Sequence, residues 1–94
     1  MNAPTKSRDE LRAEEAAAVR LVVEAESTWL FAQATGTEAE VTAAKAALDA
    51  SRVSALAVRQ AMQDGLDALT RYAAYLEAVA HATANGLTVP TATV

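Results

Sequence analysis

Ninety-four residues with a net charge of −4 and a pI near 4.8 describe one small acidic domain with little apolar volume to bury alone. There is no cysteine, which removes disulfides and thiolate metal sites. Arg20, Lys45, Arg52, Arg59 and Arg71 are spread among acids instead of clustering, so the basic face that neutralises phosphates is missing and nucleic acid is not an expected partner.

The 52% hydrophobic content overstates the core, because about a quarter of the chain is alanine, the strongest helix former and the smallest apolar side chain. Glycine and proline lie outside the helical runs except for Gly65. An all-α fold follows. No apolar run reaches the ~18 residues of a membrane span, so no membrane partner is expected.

Residues 1–7 read as an extended arm, with Pro4 keeping Ala3 out of helical conformation. The arm is polar and shows no apolar core of a secretory signal. Ser7 and Glu10 then form an S-x-x-E capping box, and Asp9, Glu10, Glu14 and Glu15 suit the positive end of a helix dipole. The first helix is predicted from about Arg8 to Ala34. Its apolar arc is wide: Leu11, Ala18, Val22, Ala25 and Trp29 make one row, Val19, Val23 and Leu30 stand beside it, and Leu21 and Phe31 point elsewhere. One partner helix cannot cover all of that.

Thr35, Gly36 and Thr37 form the turn. Gly36 is expected in the left-handed conformation that closes a helix, and Thr37 with Glu40 starts the second helix at once. So short a link makes the two helices antiparallel neighbours.

The second helix is predicted from about residue 38 to Ala84, closed by Asn85 and Gly86. Its heptad seam runs through Val41, Leu48, Ala55, Met62, Leu69 and Leu76, with Ala44, Ser51, Val58, Gly65, Tyr72 and Val79 three residues after each. Lys45 with Asp49 and Asp67 with Arg71 are possible i,i+4 pairs of minor energetic weight. The small residues Ala44, Ser51 and Gly65 permit close backbone approach. Folding back from Gly36 places Arg8 opposite Asp64, which leaves everything after Gly65 without an intrachain mate. Leu66, Leu69, Tyr72, Tyr75, Leu76 and Val79 form an apolar overhang there.

Two architectures accommodate that overhang. In one, the helix continues through Gly65, since one helical glycine costs only about 1 kcal/mol and the heptad phase crosses it unbroken. The hairpin then packs in an oligomeric helical assembly. In the other, Gly65 breaks the helix and a third helix folds back into a three-helix bundle. The hairpin domain, residues 8–86, is followed by a tail of residues 87–94, where β-branched residues dominate. Leu87, Val89, Pro90 and Val94 are its candidate contacts for a partner's sheet edge or groove.

No chemistry stands out. Glu77 and His81 share the spacing of one turn but lack a third ligand, and a histidine in the last turn already suits the helix dipole. Ser27, Thr28, Ser51 and Ser54 have no base at a meaningful spacing, and there is no glycine-rich phosphate loop. Neither an enzyme nor a cofactor is expected. Trp29 reads as a plug near the turn. Tyr72 and Tyr75, with Leu21 and Phe31, read as interface residues, since aromatic side chains dominate binding hot spots.

Two antiparallel helices in about a hundred residues, with Trp29 near the turn, resemble the plan of the WXG100 proteins of type VII secretion. The motifs of that family are absent. Leu30 and Phe31 follow Trp29 in place of a residue and then glycine, and Leu76 and Val79 stand four residues beyond Tyr72 and Tyr75, where the family carries an acid. The resemblance extends to the hairpin plan alone, and no membership follows. Alanine-rich helical subunits of virions offer a second analogy. The expectation is a non-enzymatic structural subunit, cytoplasmic or virion-associated, that forms a homo-oligomer or joins a larger assembly. The alternative is a small helical adaptor, or a secreted protein similar to the WXG100 family, acting as a monomer or heterodimer.

Overall fold

Local capping chemistry sets both helix starts. The computed structural model, which describes residues 1–88, forms α1 (Arg8–Thr35) and α2 (Glu38–Ala84). At the head of α1, Ser7 is extended and its Oγ accepts from the Glu10 amide at 3.1 Å. Only this half of the expected capping box forms; the Glu10 side chain stays in solvent. At the head of α2 the box is complete. Thr37 Oγ1 accepts from the Glu40 amide at 3.3 Å, and Glu40 Oε1 accepts from the Thr37 amide at 3.4 Å.

The link between the helices is Gly36–Thr37, and both residues are extended. Gly36, expected to be left-handed, has φ −92° and ψ 172°. The reason is length: Gly36 closes one helix while the next residue already caps the other, which leaves no room for a left-handed step. Glycine is needed here for space instead, since a Cβ on Gly36 would lie 2.8 Å from the Ala32 carbonyl oxygen. The Gly36 amide donates to that same oxygen at 2.7 Å. Thr35 ends α1 one residue later than expected, its hydroxyl donating to the Phe31 carbonyl at 2.9 Å.

The helices pack antiparallel along the seam. Leu11 lies on Gly65, Glu15 reaches Arg59 at 3.6 Å, and Lys45 Nζ sits 5.2 Å from the centre of the Trp29 ring. The fold therefore centres near residues 37–38, and Leu11 meets α2 about one turn further along than folding at Gly36 would place it. Close approach at Gly65 is why the helix keeps a glycine there without breaking: a Cβ would sit 2.8 Å from both terminal methyls of Leu11. α2 is continuous for 47 residues, so the three-helix bundle is not formed.

Burial is thin. Among the described residues only Leu11, Ala44, Leu48 and Ala82 are buried hydrophobics, with Leu48 fully enclosed. A two-helix hairpin cannot do much better, because each helix has one neighbour and the seam is rich in alanine. The result is a rod with extents of 73 × 21 × 13 Å.

The N-terminal arm, expected to be extended, folds back onto the hairpin. Residues 1–7 carry no helix but return over the hairpin: Lys6 pairs with Glu14 at 2.7 Å, and Pro4, Thr5 and Lys6 line a recess with Leu11, Ala61, Gly65 and Ala68. The first turn of the overhang thus has an intrachain neighbour after all. At the other end Gly86 is left-handed (φ 65°). The Leu87 amide donates to Ala82 at 2.8 Å and the Gly86 amide to Thr83 at 3.2 Å, which is the Schellman arrangement.

Candidate interaction surface

Three apolar regions remain uncovered once the hairpin has formed. The first is the overhang. Leu11 on Gly65 puts the start of α1, Arg8, near Ala68, so among the described residues α2 runs on past α1 from about Leu69 to Ala84. Of the expected interface residues, Leu69, Tyr72, Tyr75, Leu76 and Val79 lie along this segment, and Leu66 stands just before it. Five are half-buried, and Leu76 is 48% exposed. The Tyr72 and Tyr75 rings stand 6.2 Å apart at 31°.

The second region is a groove along one flank of the hairpin, about 370 Å³ in volume, lined by Val19, Val22, Ala55 and Leu56 with Glu15, Arg52 and Arg59 at its edges. The Glu15–Arg59 pair and an Arg52–Glu26 approach of 4.0 Å frame it. Val19, Val23, Leu30 and Leu56 are all about half-exposed or more. The periodicity of α1 alone identifies Val19, Val23 and Leu30 as a second row, without indicating that Leu56 meets it. That residue stands one position off the α2 seam, and its meeting with Val19 depends on the helix register.

Leu21 and Phe31 make up the third region and do not join the other two. Leu21 is on the flank opposite Val19, and Phe31, 72% exposed, points away from α2 near the tip. Trp29 is half-buried, as a plug between the helices should be, and its ring face takes the Lys45 ammonium. Of the predicted tail contacts, Leu87 is 59% exposed; Val89, Pro90 and Val94 lie outside the described residues.

Ionisable groups are dispersed. Among the described residues no three of His, Asp or Glu converge, and Glu77 and His81 gain no further ligand from the fold. Lys45–Asp49 forms at 3.0 Å, whereas Asp67 and Arg71 do not pair. None of the described helices is long and apolar enough to cross a membrane. The chemistry within reach of these surfaces is apolar helix packing framed by charge.

No family model, curated protein or solved structure matches this chain.

Proposed function

We propose that this protein is a non-enzymatic helical assembly subunit, working by helix–helix packing against other copies or within a larger complex. The observation that carries this reading is the length mismatch: α2 outruns α1 by about 16 residues while keeping the same heptad seam. A seam continued past its own partner is a helix surface prepared for another helix. The thin core supports the reading from the energetic side. The four buried hydrophobic residues among those described provide little stability, because each fully buried aliphatic side chain contributes roughly 1.5–3 kcal/mol against the ordering entropy of the whole chain. Additional burial between chains would supply the rest.

Native mass in solution tests it. Light scattering across a concentration range should give multiples of the 9.8 kDa chain mass. A stable, fully helical monomer at every concentration would refute it.

A second reading, a small adaptor that docks a different protein, is favoured by one observation: Leu21 and Phe31 are strongly exposed on the hairpin, away from the overhang. In that case Phe31→Ser would weaken capture of the partner while leaving native mass unchanged.

A further inference from the structure

We infer that the occupant of the overhang is the overhang of a second copy, packed antiparallel across a two-fold axis between Leu76 and Val79. This rests on the assembly reading above and specifies it. Three observations select a second copy. The first is length. Among the described residues, the run from about Leu69 to Ala84 extends past α1 and, apart from the buried Ala82, leaves the line of α1 open over its own length, ~24 Å at 1.5 Å per residue. An inverted copy of the same segment fills that space and stops where α1 begins.

The second is charge placement. Asp67, Arg71, Glu77 and His81 all fall on the outer side of the helix, away from the seam of Leu69, Tyr72, Leu76, Val79 and Thr83. The positions flanking the seam, Ala73, Tyr75 and Ala80, carry no charge either. Two identical faces can therefore meet without opposing like charges, the usual penalty for self-pairing.

The third is register. In an antiparallel pair the two seam positions of one helix meet the opposite seam positions of the other. Centring the pair on the midpoint of that run sets Leu76 of one copy against Val79 of the other, and Tyr72 against Thr83. Ala73 then faces Ala80 at the flank, where two small side chains allow close approach. Each contact occurs twice, as an isologous interface requires. Leu87, 59% exposed beyond the closing turn, arrives near the recess formed by Pro4, Gly65 and Ala68. The assembled dimer is two helices thick throughout and ~120 Å long, from two 73 Å rods overlapping by ~24 Å. About 16 residues a side is below the 20–30 of a standard interface, so the dimer is reversible and concentration-dependent.

The chain has no cysteine, so single reporters are clean. Leu76→Cys and Val79→Cys are prepared separately in the full chain, checked for helicity by circular dichroism, mixed in equal amounts and oxidised mildly. The expected result is that the mixed disulfide exceeds either self-disulfide several-fold, with the mass doubled and the maximum dimension in X-ray scattering rising from that of one rod to ~120 Å. Predominant self-disulfides of each variant show parallel pairing, and a statistical product distribution shows no fixed register. Either result overturns the antiparallel geometry and leaves self-association standing. A mass that stays that of one chain in wild type and both variants overturns the dimer and the assembly reading together. Scattering of the wild-type chain needs no substitution, so the dimer remains testable if a cysteine variant misfolds.

Discussion

Leu11 rests on Gly65 so closely that both of its terminal methyls lie 2.8 Å from where a Cβ would be. This one contact fixes where α1 begins along α2, and hence where the unpaired part of α2 begins. It also explains how a glycine survives in the middle of a 47-residue helix. Its propensity cost of about 1 kcal/mol is offset by the burial of a leucine that a larger residue would displace.

Gly65→Ala sets these two effects against each other. Alanine gains about 1 kcal/mol in helix propensity and forces the flexible end of Leu11 to move, so the net change should stay within about 1 kcal/mol of zero. Gly65→Leu has no such compensation and should destabilise by roughly 1–3 kcal/mol. Urea melts at fixed protein concentration measure both. In a Leu11→Ala background most of the Gly65→Leu penalty should vanish, because the two residues form a coupled pair.

Among the described residues Leu48 is the single fully enclosed side chain. Leu48→Ala should cost about 2–5 kcal/mol. In a core this small that is a large share of the total, and thermal unfolding followed at 222 nm (an ordinary far-ultraviolet helix reading) should lose most of its cooperativity. Retention of a sharp transition at the wild-type temperature would mean that the hairpin seam contributes little.

Leu69→Asp places a charge on the seam at the start of the overhang, outside the main α1–α2 contact. If the proposed self-association runs through the overhang, native mass should fall to that of one chain while hairpin helicity is partly kept. Sedimentation velocity reads the first and circular dichroism the second. An unchanged sedimentation coefficient would place the interface elsewhere, with the Val19–Leu56 groove the next surface to test.

Thr37→Ala removes the hydroxyl that accepts from the Glu40 amide and should cost about 1 kcal/mol. Glu15→Gln breaks an ion pair whose arginine is largely exposed and should cost less than about 1 kcal/mol, with the difference shrinking as salt is added. If the charge change proves the larger of the two, electrostatics matter more to this hairpin than its geometry indicates.

What the residues revealed directly was what is local or periodic. Ser7, Thr37, Asn85 and Gly86 marked the helix ends because capping is decided within a few residues. The heptad phase carried α2 through Gly65 because a helix keeps its period unless something breaks it. Other features depend on how distant segments meet. The extended Gly36 follows from two helix ends sharing a two-residue link. The Val19–Leu56 groove follows from a register that is defined only once Leu11 has settled on Gly65. Leu21 and Phe31 are exposed on the hairpin, as a helix with a single packing neighbour leaves them.

Because α2 runs without interruption, it transmits angular phase as well as length. Each residue turns the helix by about 100°. One residue inserted after Leu66 would leave the hairpin seam untouched and swing every side chain from Asp67 onward a little more than a quarter-turn away from its present heading. Seven inserted residues would bring them back to within about 20°. The orientation of the distal segment is thus written in the number of residues that separate it from Gly65.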